Sequence, residues 1–370
     1  MKCIICDSHK LVKFLDKNAI AIWTGSDDKF FRNHKVECKI FQCKECGHIQ
    51  QFPSVSTDQL LEEIYSSTSA QASSSLGDGN WGLERAKLVF DEINIDSSVN
   101  SVLEIGCADG FMLKYLQSLG IKEVEGIEPS LDKSCQINGM KLHKAFATKF
   151  FSLDRKFDFI YSICVFEHIQ NMNDIMGFVD NHLSDKGILF FEVPNGEISI
   201  RFNDPNLFIH EHIHYYTKKS LCTLLKRNGF KLLSLEEKRD SFFVYATKSN
   251  DIQCTFESVE TENYQTLIEQ NIKRIESISQ SMKIGFHGVN NSLNNLLGWS
   301  TEMGGYKLFD NDEKKIGKTY FDQEVLSPNI ENLLSIDCII VLPIWYFESI
   351  KSQYELINPN LKVIKAVEVE

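Results

Sequence analysis

The stretch Ser101-Val102-Leu103-Glu104-Ile105-Gly106-Cys107-Ala108-Asp109-Gly110-Phe111-Met112-Leu113-Lys114-Tyr115-Leu116 constrains this chain more than any other. An apolar run with strand character enters a turn of small residues, and apolar positions then recur at helical spacing. Gly106 and Gly110 let the backbone adopt turn conformations that side chains forbid and approach a ligand closely. About 18 residues further on, Val124-Glu125-Gly126-Ile127-Glu128 reads as a second strand, ending in an acid placed to accept hydrogen bonds from ribose hydroxyls. Together these form the layout of a cofactor loop at the carboxyl edge of a parallel sheet, so the expected class is α/β with a Rossmann-like sheet. The turn offers neither the Gly-x-Gly-x-x-Gly of nicotinamide sites nor the Gly-Lys-Ser/Thr of a P-loop.

At 370 residues the chain exceeds one ordinary core, and about 150 residues per domain gives two or three domains. The formal charge is −12, opposite in sign to the footprint of a nucleic-acid-binding surface, so nucleic acid is not an expected partner. The start, Met1-Lys2-Cys3-Ile4-Ile5-Cys6, turns polar at Asp7 and lacks the apolar core of a secretory signal. The longest apolar stretch, Cys338 to Phe347 with Pro343 inside it, reaches about half of the roughly 20 residues a membrane span requires. A cytoplasmic protein without membrane contact is expected, as a monomer or weak homodimer.

Eleven cysteines in a long chain without an export signal favour reduced thiols and metal ligation over a disulfide framework. Cys3-x-x-Cys6 and Cys43-x-x-Cys46 form two knuckles whose four thiolates suit a structural zinc ion, with no coordination position left open for chemistry. A redox pair or unrelated thiols are the alternatives, and His34, Cys38 and His48 stand near enough in sequence to replace one ligand. The interval between the knuckles leaves room for a small two-stranded insertion, and the other seven cysteines read as ordinary reduced thiols. From Ser66 to Asn80 the composition turns to Ser, Thr, Ala and Gly, either a flexible joint or a polar lid over a ligand. Trp81 to Asn94 has helical spacing.

After the turn at Pro194-Asn195-Gly196 comes Phe208-Ile209-His210-Glu211-His212-Ile213-His214-Tyr215-Tyr216. Histidine titrates near neutrality, so any of the three is a candidate acceptor of a proton from a carbon acid or a hydroxyl, with Glu211 orienting an imidazole or holding a sugar hydroxyl. In an extended segment the three histidines share one face with Glu211 opposite, so a working Glu211–His212 pair requires a loop. A three-histidine metal site and a purely structural cluster remain open alternatives.

Glu257 to Met282 suggests a bridging helix, and Lys283 to Leu297 repeats the strand, turn and helix pattern. Tyr306 to Asp312 again ends a strand in acid, with Asp337 to Leu342 and Lys362 to Val369 as later strands. Gly285-x-x-Gly288 is not a full dinucleotide fingerprint, so no second cofactor is expected. His287, Asn290, Asn291 and Trp345-Tyr346-Phe347 are candidate contacts, with plain packing as the alternative. The expected division is 1–75 for a zinc module, 76–250 for the first Rossmann-like domain and 251–370 for a second, smaller one.

The first motif resembles that of class I S-adenosylmethionine-dependent methyltransferases on Glu104, Gly106, Gly110 and Glu128, with Ala108 in place of the middle glycine. Phe157 to Ile169 is similar to the family's fourth strand and following Glu-His, and Gly187 to Asn195 to its fifth strand. The resemblance implies an S-adenosylmethionine site at Glu104, Gly106, Ala108, Gly110, Glu128, Val165 and His168. The whole chain resembles bacterial sugar C-methyltransferases acting on nucleotide-linked keto-deoxysugars, which feed surface polysaccharide or natural-product synthesis. That resemblance implies an N-terminal zinc module, His212 as base with Glu211 beside it, and Tyr65 on a lid loop. It also implies that the C-terminal domain helps bind the sugar nucleotide, and Asn195, His210, His214, Tyr216, His287 and Asn290 are the candidate substrate contacts. Ile209 stands where that family commonly has tyrosine, which keeps O-methylation by the same histidine open. A non-catalytic zinc-containing interaction protein on a methyltransferase scaffold is a further alternative, and a nucleic-acid methyltransferase is disfavoured by charge.

Overall fold

The apolar runs become strands that gather into three main sheets and a two-stranded ribbon. The structure, a computed structural model, describes residues 1–15, 17, 20–21, 35–36, 39–52, 55, 59, 90, 99–209, 211–238, 240–249, 255–259, 261 and 263–367. His34, Cys38, Tyr65, the Ser66–Asn80 stretch, His210 and, apart from Phe90, the Trp81–Asn94 helix lie outside the described residues.

The N-terminal part contributes β1 (Leu11–Leu15), β2 (Ile20–Ala21), β3 (Lys35–Val36), β4 (Ile40–Cys43) and β5 (Ile49–Gln51). The antiparallel β2–β3 ribbon occupies the interval between the knuckles, the two-stranded insertion expected there. Each knuckle closes on a left-handed residue, Asp7 at φ 58° and Gly47 at φ 71°.

The central sheet is built from β6 (Ser101–Ile105), α1 (Phe111–Ser118), β7 (Glu123–Ile127), β8 (Cys135–Ile137), β9 (Met140–His143), β10 (Phe157–Ile163), α2 (Met172–His182) and β11 (Leu183–Pro194). There follow α3 (Gly196–Arg201), β12 (His214–Tyr215), α4 (Lys218–Arg227), β13 (Phe230–Lys238) and β14 (Ser241–Lys248). Its order is β13-β14-β11-β10-β6-β7-β9-β8. The five strands from β11 to β9 run parallel, and β14, β13 and β8 are antiparallel additions at the edges. β6 is buried along its whole length, as a central parallel strand must be. The chain leaves β6 toward β9 and then crosses back to β10 and β11. The carboxyl ends of β6 and β10 therefore flank the switch point where sheets of this class bind ligands.

β12 does not join this sheet. It pairs with β5 and completes the N-terminal order β1-β4-β5-β12, while the next residue, Tyr216, bridges to Asn195 at the end of β11. Cys3, Ile5, Cys43 and Cys46 accordingly share one core with Tyr216 and with Leu221, Leu224 and Leu225 of α4.

The last part holds α5 (Tyr264–Ser281), β15 (Ile284–His287), α6 (Asn291–Trp299), β16 (Tyr306–Phe309), β17 (Thr319–Tyr320), β18 (Gln323–Leu326), α7 (Ile330–Leu333), β19 (Cys338–Val341), α8 (Phe347–Ile357) and β20 (Lys362–Lys365). The sheet order is β17-β18-β16-β15-β19-β20, parallel from β18 to β20. α5 begins later than the expected Glu257; Ser258 and Thr261, ahead of it, are instead bonded to Lys219 and Gln42. One expectation fails: Cys222, read as a reduced thiol, is disulfide-bonded. Such pairing depends on proximity in the fold, which sequence spacing does not encode. Among the described residues no helix is long and apolar enough to cross a membrane.

Candidate active site

The turn after β6 is shaped by positive φ angles at Gly106 (82°), Ala108 (46°) and Gly110 (83°). A β-carbon on Gly106 would lie 2.3 Å from Val165 Cγ2, so the first glycine is demanded by a side chain arriving from the end of β10. Ala108 at the middle position takes the left-handed conformation itself, a strain that the surrounding loop has to offset.

Glu128, at the end of β7, braces this turn. Its carboxylate accepts the Ala108 amide at 3.2 Å, the Ser130 amide at 2.9 Å and the Ser130 hydroxyl at 2.6 Å. Glu104 lies beneath, only 3% exposed. Burial pushes its carboxyl up to about 8, the Tyr161 phenol lowers it in part, and Glu128 and Asp109 raise it further. Glu104 Oε2 is buried and makes no hydrogen bond. Burying a carboxyl oxygen without a partner is costly, and a cationic amino group of a bound ligand would both satisfy Oε2 and favour its ionised form. An S-adenosylmethionine site fits these residues: a left-handed turn open to close approach, an acid at the ribose position and an unmet carboxyl below.

At the carboxyl end of β10 the chain makes a 3-10 turn, Phe166–His168. His168 donates from Nδ1 to the Glu211 carbonyl at 2.9 Å, and Ile213 donates its amide to the Glu167 carbonyl at 2.8 Å. The His168 and His212 rings meet edge to face with centroids 4.9 Å apart. His168 Nε2 is 3.7 Å from Glu167 Oε1. Ligating atoms of Glu167, His168 and His212 lie within 4.8 Å of one another. Burial holds His168 down to about 4, so it is neutral at pH 7, and burial pushes Glu211 up to about 7. Residues 211–213 form a turn and only His214 and Tyr215 are extended, which is the loop that a Glu211–His212 pair requires.

The other expected sugar contacts are used inside the protein. His214 is bonded through Nε2 to the Ile169 carbonyl at 2.7 Å and through Nδ1 to His48 Nε2 at 2.9 Å. Tyr216 donates to the Phe166 carbonyl at 3.0 Å, and Asn195 caps α3 by accepting the Glu197 and Ile198 amides. His287 bonds to the Tyr354 hydroxyl at 2.8 Å, and Asn290 caps α6 by accepting the Leu293 amide. His287 ends β15 of the second Rossmann-like sheet and Asn290 lies in the loop after it, where Asp310 accepts the Val289 amide much as Glu128 accepts that of Ala108, but with Lys315 Nζ 3.2 Å from the same carboxylate.

The four knuckle thiols converge, Cys3 to Cys46 and Cys6 to Cys43 both at 3.5 Å, with all four within 4.8 Å. Thiolates around tetrahedral zinc, with bonds of about 2.3 Å, stand about 3.8 Å apart, so this donor set fits Zn²⁺. The contact with Cys46 lowers Cys3 to about 6, whereas burial pushes Cys6 up to about 12 and Cys3 raises Cys46. Holding all four as thiolates would take a cation to offset their mutual repulsion. His48 is turned away from the cluster toward His214, so it does not replace a thiol. Sequence reasoning missed His48 as a link to the histidine segment at 211–216. Its position directly after Cys46-Gly47 was the available signal, but its partner is 166 residues away.

Residues 82–235 match the protein family described as Methyltransferase domain. Over 76 residues the chain is 29% identical to C-methyltransferase NovU of Streptomyces niveus, a match covering 20% of this chain and 18% of that relative's length. A structure of an S-adenosylmethionine dependent methyltransferase from Mesorhizobium loti aligns at 15% identity over 44% of this chain and 97% of its own, with TM-score 0.36. The ribosomal protein L11 methylase of Lactobacillus delbrueckii subsp. bulgaricus aligns at 16% identity over 46% and 81%, with TM-score 0.33. The chain thus carries a methyltransferase domain with a Rossmann-like fold.

Proposed function

We propose that the protein transfers the methyl group of S-adenosylmethionine to a carbon of a nucleotide-linked keto-deoxysugar, with His212 as base. The placement of His212 carries this reading. Its half-buried ring packs on His168 at the carboxyl end of β10, on the same sheet edge as the Gly106–Gly110 turn. The match to a protein named a C-methyltransferase supports carbon as the acceptor. S-adenosylmethionine supplies an electrophilic methyl on a sulfonium, so the protein has to align it and create a nucleophile.

In this reading a ring nitrogen of His212 takes the proton from the carbon beside the sugar ketone. The C–H electron pair moves into an enolate, whose carbon takes the methyl group; S-adenosylhomocysteine leaves, and the imidazolium gives its proton to solvent. Glu211, a carboxyl that titrates near neutrality, sits beside the base, and neutral His168 fixes the Glu211 backbone. Tyr65 would supply a phenol from the lid, and the cysteine cluster would hold structural zinc.

The test is incubation of 4-keto nucleotide sugars with enzyme and S-adenosylmethionine in deuterated water, followed by mass spectrometry. Methyl gain with deuterium beside the ketone is expected, and His212→Asn should abolish both while still binding S-adenosylmethionine. Ile209, where the resembled family commonly has tyrosine, favours a second reading in which His212 deprotonates a sugar hydroxyl. Methyl gain without deuterium incorporation would select that O-methylation, and no methyl gain from any nucleotide sugar would overturn both.

A further inference from the structure

We propose that His48 is a positioning residue, transmitting the geometry of the N-terminal cysteine module to the segment that holds His212. The inference rests on the reading of His212 as base. A continuous set of bonds carries it. The Cys43 amide donates to the His48 carbonyl at 2.8 Å, which ties His48 to a knuckle. The His48 ring then meets His214 at 2.9 Å, and His214 reaches the Ile169 carbonyl at 2.7 Å. Ile169 follows the turn whose Glu167 carbonyl holds the Ile213 amide and whose His168 holds the Glu211 carbonyl. His212 lies between those two anchored residues.

The tautomers follow from this network. A carbonyl only accepts, so His214 carries its hydrogen on Nε2, which leaves Nδ1 as an acceptor. His48 must therefore donate from Nε2. Both rings are buried, His48 at 0% and His214 at 1% exposure, so a lost donor would leave His214 Nδ1 unmet away from water. The backbone pairing of β12 with β5 covers His214 with Gln50 and Tyr215 with Ile49, and the Gln51 amide donates to the Ile213 carbonyl at 2.8 Å. Beside these backbone links and the Ile213 amide on the Glu167 carbonyl, the side-chain bridge adds a second, buried connection to the Phe166–His168 turn.

Two substitutions separate the donor from the bulk. His48→Leu fills space but cannot donate, whereas His48→Gln keeps an amide donor near the Nε2 position. Amide hydrogen exchange of the full chain, read by mass spectrometry over residues 211–217, should rise at least tenfold in His48→Leu and stay near wild type in His48→Gln. S-adenosylmethionine affinity should stay within twofold in both. Chelating the metal from the wild-type protein should raise exchange over 43–51 and 211–217 together, an arm that holds even if His48→Leu fails to fold. With an active substrate, turnover should fall in His48→Leu, recover in His48→Gln and leave KM for S-adenosylmethionine unchanged. The proposal is overturned if His48→Leu leaves 211–217 at wild-type exchange, if His48→Gln is as perturbed as His48→Leu, or if chelation loosens 43–51 alone. Absence of methyl transfer in every protein would count against the function but leave the exchange results to decide the positioning role.

Discussion

The backbone amide of Ala108 donates to the carboxylate of Glu128 at 3.2 Å, so the acid that ends the second strand also shapes the turn that ends the first. One residue thus joins the two halves of the cofactor motif before any ligand arrives. Hydrogen bonds to charged groups contribute about 1.5–3 kcal/mol each. Glu128→Ala is expected to weaken S-adenosylmethionine binding about 10- to 100-fold with the fold retained, as measured by calorimetry and a thermal melt. Affinity within threefold of wild type would mean the carboxylate is not part of the site.

Gly106 is held at φ 82° under Val165. Gly106→Ala adds both a left-handed strain of about 1–2 kcal/mol and a contact no real β-carbon makes. The melting temperature should drop by several degrees and cofactor binding should be lost. Adding Val165→Ala relieves the contact but not the strain, so the double variant should recover only partly. Full recovery would show that φ is not restrictive here.

The cysteine cluster predicts one zinc per chain by elemental analysis. Cys46→Ser should lower that content severalfold and destabilise the N-terminal sheet, and chelation of the wild type should lower its melting temperature. A protein purified without metal, with all four thiols reacting as freely as exposed ones, would contradict the site.

His287 is buried and held down to about 4 from 6.5 by that burial, with Asp310 raising it and Lys315 lowering it. Its folded value lies below its unfolded one, so the unfolded chain binds a proton that the native state refuses. Stability from this group is therefore present above pH 6.5 and lost as pH falls toward 4. About 2 kcal/mol should disappear between pH 7 and pH 5. Buried carboxyls such as Asp204, raised to about 6 by burial, act in the opposite direction, so the comparison has to be with a variant. In urea melts, His287→Gln should lose less stability than wild type over that interval; equal losses would refute the shift.

Much of the central sheet was legible because its signals are local. Ser101 to Leu116 encodes strand, turn and helix through apolar spacing and small residues, and the paired knuckles announce a donor set whatever surrounds them. The histidine segment was legible only as chemistry. Composition gave it three imidazoles, but nothing local said that His214 would turn to His48 and Ile169 while His212 turned to His168. Asn195 and Tyr216 show the same limit: that one caps a helix and the other buries its phenol against the Phe166 carbonyl is fixed by partners that local sequence does not name.

The sequence by itself determined the α/β class, the cofactor turn with its bracing acid, and the four thiols, since each depends on residues a few positions apart whose backbone preferences and chemistry act locally. The tertiary structure alone decided that β12 would leave the central sheet for β5, that Val165 would close on Gly106, and that the cysteine module would sit against the histidine segment. Those relationships join residues far apart in the chain, His48 and His214 by 166 positions, through packing and buried hydrogen bonds, and such contacts are fixed only when the whole chain has folded.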